Sequence, residues 1–190
     1  MRIVKKPAQT EDIIKKSRFI SVLLPCDSEQ QAKQQLAHYS QHYSDACHLV
    51  YAYRIQSNKG LICRFHDAGE PSGTAGKPVF QHLEGKRLIN VLLIVIRYFG
   101  GIKLGAGGLT RAYGHSAKKV IEQADIEDFI AMCEMCFTLD YKQRQNLEYQ
   151  LKQLNGQIIE QQFGENISVR IRLPEDNVPA LKALFGNDYS

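Results

Sequence analysis

The sequence has little of what marks several classes of protein. It has six prolines and five cysteines, and an odd number of cysteines without paired spacing argues against a disulfide scaffold and for a reducing compartment. The longest apolar run, Leu88 to Ile96, spans nine residues and is interrupted by Asn90, whereas a membrane-spanning helix needs about 20. The first residues are charged and lack the apolar stretch of a signal peptide. We therefore expect a cytoplasmic protein with no membrane partner.

Composition and charge distribution indicate two globular units. Hydrophobic residues make up 44% of the chain and charged residues 23%, which is typical of globular proteins and excludes a disordered or collagen-like chain. Residues 1–128 hold 18 Lys and Arg against 12 Asp and Glu, whereas residues 129–190 hold 6 against 8. We predict two domains with these boundaries, 1–128 and 129–190, of which the basic first domain suits an anionic partner.

Apolar periodicity predicts alternating strands and helices in the first domain. Ser28 and Gln31 form the capping box that opens a helix. Two alternating stretches on either side of the turn at 57–60 predict a β-hairpin. The predicted elements are strands at 18–24, 48–55, 61–66 and 88–97, a helix from 28, a short helical segment at 79–84 and a helix at 109–124.

The second domain has the pattern of a ferredoxin-like unit. It reads as a strand at 132–141, a helix at 143–154, strands at 157–163 and 167–173, and a helix at 176–184. This order supplies most of a split βαβ fold. Because the chain has only a few residues after the last helix, the fourth strand is predicted to be missing or very short.

Two glycine-rich loops distinguish the first domain, since ten of the 14 glycines fall between positions 69 and 114. The loop at 69–78 does not match a nucleotide P-loop, because Pro71 and Pro78 stand where a glycine and a hydroxyl residue are required. The loop at 100–108 does not match the dinucleotide fingerprint, because Thr110 replaces its third glycine. Neither nucleotide motif is therefore predicted.

The two loops nevertheless have the composition of an anion-binding site. Glycine lets backbone N–H groups converge, and a helix beginning near Leu109 offers unsatisfied N–H donors and a partial positive charge. Close packing of loops also requires glycine, and this alternative explains the pattern about equally well. The predicted anion-binding or nucleic-acid-binding residues are Ser72, Gly73, Thr74, Gly76, Lys77, Arg97, Gly100, Gly101, Lys103, Gly105, Gly107, Gly108 and Arg111.

An enzyme is the alternative to a binding protein. His48, Asp67 and Glu70 are the candidate catalytic residues, because an imidazole and two carboxylates beside an anion site could transfer protons. The substrate would be a small phosphorylated or nucleotide-like molecule. No spacing of His, Cys, Asp and Glu completes a ligand set for a metal, and no cofactor is predicted.

Three segments resemble the IMPACT family, in particular its bacterial YigZ-like members. They are residues 44–54 (SDACHLVYAYR), 67–78 (DAGEPSGTAGKP) and 97–109 (RYFGGIKLGAGGL), followed by RAYG at 111–114. One residue departs from the family pattern, which commonly has two successive acids before Gly-Glu-Pro, because here the second is Ala68. The departure argues against a metal held by paired carboxylates.

The resemblance implies a mixed α/β (α+β) protein of two domains. The first would share the α/β sandwich of the second domain of a small-subunit ribosomal protein, with an unusual left-handed βαβ crossover. The second would be a ferredoxin-like domain similar to domain V of elongation factor G.

The resemblance also implies a connection with translation. Eukaryotic relatives act in translational control by competing for the activator of a starvation-responsive kinase, through a partner-binding domain that this sequence lacks. What carries over is a non-catalytic regulatory or binding protein whose glycine-rich cleft contacts RNA or a ribosome-associated partner. A small anionic ligand is the alternative occupant of the cleft.

Overall fold

A five-stranded antiparallel sheet organises the first part of the chain, in a computed structural model that describes residues 1–185. The chain divides into two compact units between Phe129 and Ile130. The elements of the first unit are β1 (Arg2–Val4), β2 (Ala8–Ile14), β3 (Ser17–Pro25), α1 (Glu29–His42), β4 (His48–Ser57), β5 (Gly60–His66), α2 (Gly76–Gly85), β6 (Val91–Tyr98), α3 (Gly105–Gln123) and β7 (Ile126–Asp128).

The sheet has the strand order β2-β3-β6-β4-β5, and both of its faces are covered. On one face Ile20 and Ile94 pack in a cluster with residues of α1, and on the other Phe19 and Val95 pack with residues of α2 and α3. Strands buried on both faces need apolar residues at every position rather than at alternate ones. This explains why β6 is a continuous apolar run from Val91 to Ile96.

The antiparallel pairing brings both glycine-rich loops to one end of the sheet. Strands β3 and β4 both pair with β6, which runs opposite to them. The start of β3, the start of β4 and the end of β6 therefore lie together, and the end of β5 joins them because Tyr51 pairs with His66. The loop after β5 and the loop after β6 are the two glycine-rich segments, so the topology makes them neighbours.

The second unit is a three-stranded antiparallel sheet with two helices. Its elements are β8 (Met132–Leu139), α4 (Arg144–Gln153), β9 (Gln157–Phe163), β10 (Ile167–Pro174) and α5 (Val178–Phe185), and the strand order is β8-β10-β9. The described part of this unit has no fourth strand, and residues 186–190 lie outside the described residues. No helix within residues 1–185 is both long enough and apolar enough to cross a membrane.

The mixed α/β class is confirmed, but several element boundaries differ from the sequence prediction. Helix α3 begins at Gly105 rather than near Leu109, so Gly107 and Gly108 lie in its first turn and not in a loop. Glycine has a low helix propensity, so residue propensities do not indicate that a helix begins at these glycines. Strand β6 begins at Val91 rather than Leu88. The short strands β1 and β7 and the edge strand β2 were not predicted.

Gly100 offers a direct test of the close approach between the loop after β6 and the turn before β3. A Cβ at this position would lie 2.0 Å from the backbone C and O of Lys16. We expect Gly100→Ala to lower the free energy of unfolding of the first unit by about 1–3 kcal/mol, since the backbone must move apart. Urea denaturation of the purified protein measures this decrease.

Gly85→Ala is the matched control, because a Cβ at Gly85 meets nothing within 4 Å. Gly85 ends α2 without a left-handed φ, so its replacement should leave stability unchanged or raise it by up to about 1 kcal/mol. Equal decreases in the two variants would show that the close approach of Gly100 to Lys16 has no energetic importance.

Candidate functional site

Three side chains lie side by side where β3, β6 and β4 meet at the end of the sheet. Arg97 of β6 is paired with Phe19 of β3 on one side and with His48 of β4 on the other. Directly paired residues point to the same face of a sheet. Phe19 packs edge-to-face against Tyr113 of α3, with ring centroids 5.3 Å apart. The row therefore lies on the face of the sheet that α3 covers.

The buried carboxylate of Glu70 connects this row to the first glycine-rich loop. Its Oε1 accepts hydrogen bonds from Arg97 Nη1 at 2.6 Å and from the Tyr113 hydroxyl at 2.8 Å. Burial, together with the charge of Glu70, raises the pKa of Tyr113 far above its usual range. Tyr113 therefore remains protonated and acts as a donor, and the Glu70 carboxylate has two hydrogen-bond donors in the protein interior.

His48 has a fixed orientation beside the same carboxylate. Its Nδ1 lies 2.9 Å from the carbonyl oxygen of Ala68, and because a carbonyl only accepts, Nδ1 carries the hydrogen. The other ring nitrogen, Nε2, lies 3.8 Å from Glu70 Oε1. In the neutral ring Nε2 is an acceptor, and in the charged ring it is a donor directed toward Glu70.

These residues line a pocket of about 360 Å³, to which both loops contribute. Glu70 and Pro71 come from the loop after β5, and Lys103 comes from the loop after β6. The volume is at the lower end of the range for small-molecule sites. The complete lining is His48, Glu70, Pro71, Arg97, Phe99, Lys103, Leu104, Gly105, Ala106 and Leu109.

The start of α3 adds hydrogen-bond donors and positive charge to the pocket. Leu104 caps the helix without a side-chain hydrogen bond, so the N–H groups of the first turn are left to other acceptors. Arg97 is only 5% exposed, and its Nε has no hydrogen-bond partner among the described residues. A helix N-terminus carries a partial positive charge, and Lys103 adds a full one beside it.

The first glycine-rich loop already holds an anion of the chain itself. The Asp67 carboxylate accepts backbone N–H bonds from Gly73 at 2.9 Å, Ala75 at 3.1 Å and Gly76 at 2.8 Å. Burial alone would raise the pKa of Asp67, but the three N–H donors outweigh burial and lower it. The N–H groups of Gly73 and Gly76 are therefore occupied by Asp67 rather than open to an external anion.

Other predicted anion-binding groups are also used inside the protein. The Thr74 hydroxyl donates to the carbonyl of Pro71 at 2.6 Å, and the N–H of Gly100 donates to Ser17 Oγ at 3.2 Å. Gly101 has a φ of +84°, which its turn requires. For these positions the close-packing alternative accounts for the residue that is present.

The structure brings some predicted site residues together and separates others. His48, Glu70, Arg97, Lys103 and Gly105 line the common pocket. The remaining predicted residues, which are absent from that lining, are Asp67, Ser72, Gly73, Thr74, Gly76, Lys77, Gly100, Gly101, Gly107, Gly108 and Arg111.

Sequence reasoning missed several residues that shape the site. Tyr113 and Ser17 position Glu70 and Arg97, and Phe99 and Leu104 line the pocket. Tyr113 and Phe99 lie in segments that resemble a family pattern, which was the available signal. Within residues 1–185, no three His, Cys, Asp or Glu side chains are grouped closely enough to hold a metal ion.

The bonds to Asp67 predict a pH-dependent contribution to stability. Its pKa is lowered in the folded state, so the stabilisation is present above the ordinary aspartate pKa of about 3.9 and disappears as the pH falls through the lowered folded value. Asp67→Asn should reduce the free energy of unfolding by about 2 kcal/mol at pH 7. The difference in the free energy of unfolding between the variant and the parent protein should become smaller below pH 4.

Equilibrium unfolding at several pH values measures this difference. Asp45→Asn is the control, since its carboxylate accepts one bond at 2.8 Å from the Tyr98 hydroxyl on the exposed surface and should contribute little. A difference between Asp67→Asn and the parent that stays constant with pH would show that the three N–H bonds do not depend on the charge of Asp67.

The two units match known protein families. Residues 15–121 match the Impact N-terminal domain, and residues 137–187 match DUF1949, a domain of unknown function. The chain is 36% identical over 177 residues to the IMPACT family member YvyE of Bacillus subtilis, covering 93% of this chain and 81% of that protein. It is 33% identical over 185 residues to the IMPACT family member YigZ of Escherichia coli, covering 97% and 90%.

A solved structure extends the similarity to the whole fold. A crystal structure of a hypothetical protein is 32% identical, has a TM-score of 0.70 and covers 96% of this chain and 89% of its own. The resemblance that the three motifs indicated is thus confirmed at the level of sequence and fold. The chain belongs to the IMPACT family, with an Impact N-terminal domain followed by a DUF1949 domain.

Proposed function

We propose that the protein is a non-catalytic, translation-associated regulatory or binding protein whose pocket receives a phosphate group of RNA. The observation that carries this proposal is the uncapped start of α3 beside Lys103 and the unpaired Nε of Arg97. Groups of this kind bind phosphate oxygens, and Arg97, Lys103 and the first residues of α3 line one pocket.

The balance of charge in the pocket favours an anion. The charges of Glu70 and Arg97 offset each other through their direct bond, so Lys103 and the helix N-terminus leave a net positive potential. A pocket of about 360 Å³ admits a phosphate with its sugar but not a continuous strand. The rest of the RNA would then run over the surface around the pocket.

Family membership supports the translational part of the proposal. The chain shares the Impact N-terminal domain, whose eukaryotic members the motif resemblance connects with translational control. An RNA or ribosome-associated partner implies a location in the cytoplasm. The DUF1949 unit, in which Arg170 and Arg172 are paired with glutamates, is not needed for the phosphate contact.

The contribution of Lys103 is tested by the salt dependence of RNA binding. For a single strand, removing one phosphate interaction makes the slope of log affinity against log salt shallower by about 0.7. We expect this change for Lys103→Gln, measured by fluorescence anisotropy with a short labelled single-stranded RNA. Affinity at low salt should fall several-fold.

Lys59→Gln is the matched control. Lys59 is exposed in the turn between β4 and β5, at the opposite end of the sheet from the pocket. The slope of log affinity against log salt for Lys59→Gln should therefore equal that of the parent protein. The proposal fails if the parent protein does not bind RNA at low salt, or if Lys103→Gln and Lys59→Gln have the same slope.

The orientation of His48 favours a second candidate, an enzyme acting on a small phosphorylated or nucleotide-like substrate. The bond to Ala68 leaves Nε2 as the nitrogen beside Glu70, which is the arrangement of an oriented general base. A thermal-shift screen with nucleotides and phosphorylated metabolites tests it.

This second candidate requires a saturable rise in Tm with one compound. The rise should disappear in Lys103→Gln, and turnover of that compound should be abolished in His48→Gln while binding is retained. A screen in which no compound raises the Tm, while RNA still binds, would exclude the small-molecule enzyme.

A further inference from the structure

We infer that the RNA-contacting surface extends from the pocket over the turn between β2 and β3 and the ring of Phe99, and that its partner is an unpaired RNA strand. This inference rests on the proposed function and specifies its partner. We call the surface formed by Lys15, Lys16, Phe99 and Lys103 the lysine–phenylalanine surface. Three observations carry the inference: the backbone of the turn, its proximity to the loop after β6, and the exposure of Phe99.

The turn between β2 and β3 presents two adjacent lysines in an unfavourable backbone conformation. Ile14 pairs with Ser17, so Lys15 and Lys16 form a two-residue hairpin loop. Their φ angles are +45° and +65°, a region that two-residue hairpin loops normally fill with Asn-Gly. Both lysines are exposed, and neither has an ion-pair partner among residues 1–185. Lysine is therefore not the residue that the conformation of this turn favours.

The lysine turn lies directly against the loop that enters the pocket. The backbone of Lys16 approaches Gly100 so closely that no side chain fits there. Gly100 lies between Phe99 and Lys103 in the sequence. Phe99 and Lys103 both line the pocket. The backbone of the turn that carries the two exposed lysines therefore lies against the loop that lines the proposed phosphate site. A strand leaving the pocket on this side would pass their charges.

Phe99 has the properties of a stacking platform. The residue is 48% exposed, and the Arg97 guanidinium lies 5.7 Å from the centroid of its ring. Its backbone is held in place, because its N–H donates to Cys47 Sγ at 3.4 Å. An exposed aromatic ring next to cations attracts the flat face of a base, and a restrained backbone lowers the entropic cost of binding.

An unpaired strand fits this surface better than a duplex. Bases in a duplex are already stacked on each other and cannot reach a protein ring, whereas an unpaired strand can splay a base out. The combination of a ring and spaced cations is the arrangement with which proteins hold single strands without sequence readout. We therefore expect tighter binding of unpaired RNA than of a hairpin stem of the same length.

The double variant Lys15→Asn with Lys16→Gly separates binding from folding. Asn-Gly suits the left-handed turn, so the Tm of the first unit should rise by about 2–4 °C. Removing both lysine charges, and with them two phosphate interactions, should make the salt slope shallower by about 1.4. The control is Lys33→Gln with Lys59→Gln, which removes the same charge from exposed positions on α1 and on the opposite turn and should leave the slope unchanged.

Phe99→Ala tests the stacking interaction. We expect its affinity for the unpaired RNA to fall by about 5-fold or more, with the salt slope of the parent retained because no charge is removed. Phe65→Ala is the control, since Phe65 is 47% exposed on the edge strand β5 and should bind RNA as the parent does.

The outcomes distinguish this inference from the proposed function. If the parent does not bind RNA, the proposed function fails. If the parent binds and Lys103→Gln weakens binding, while the double lysine variant and Phe99→Ala bind as their controls do, the pocket stands and the lysine–phenylalanine surface is overturned. Equal affinity for the unpaired strand and the stem overturns the choice of partner.

Discussion

The buried bond between Glu70 and Arg97 is the interaction on which the rest of the site depends. Removing two charges from water costs several kcal/mol each, and the cost is offset only where geometry is good and further hydrogen bonds are present. Tyr113 donates such a bond to the carboxylate, and Ser17 accepts one from the guanidinium. The bond ties the loop after β5 to strand β6 and to helix α3, so both walls of the pocket are fixed relative to each other.

The glycines of the first unit serve different physical purposes, although they form one cluster in the sequence. Gly73 and Gly76 enclose the Asp67 carboxylate, and Gly100 permits a close backbone approach to the turn before β3. Gly105 opens α3 in a left-handed conformation with a φ of +69°. The carboxylate of Asp67 thus accepts the backbone N–H bonds of the loop after β5 and restrains that loop. No side chain caps the start of α3, and its first-turn donors are the part of the cluster that the proposed function assigns to a ligand.

Membership in the IMPACT family and the geometry of the pocket both support the proposed function. The pocket combines a positive helix end, a buried arginine with an unpaired donor and an exposed lysine, which suits a phosphate. Its apolar wall, which includes Phe99 and Leu109, suits a base or a small ligand body. The proposed binding protein, which would take one nucleotide into the pocket and lead the strand across the surface, would use both features.

Much of the fold could be predicted from local patterns. The helix start at Ser28 forms as predicted, with Ser28 Oγ accepting from the Gln31 N–H at 3.1 Å. The returning bond of the capping box goes elsewhere, because the Gln31 side chain accepts from the N–H of Asp27 at 2.8 Å rather than from Ser28. The alternation on either side of residues 57–60 gives the β4–β5 hairpin, because side-chain period decides which residues can be buried together. The strands β1 and β7 escaped prediction because three residues carry too short a pattern, and their pairing joins distant parts of the chain.

The sequence by itself determined the mixed α/β class, the family and five of the residues that line the pocket, since periodicity, charge and motifs are local properties. Only the tertiary structure decided which of those residues meet. Lys103 and Arg97 reach the pocket while Lys77 does not, and Asp67 rather than a ligand takes the N–H groups of the first loop. The physical reason is that a backbone donor can be used once, and its acceptor depends on contacts between residues far apart in sequence.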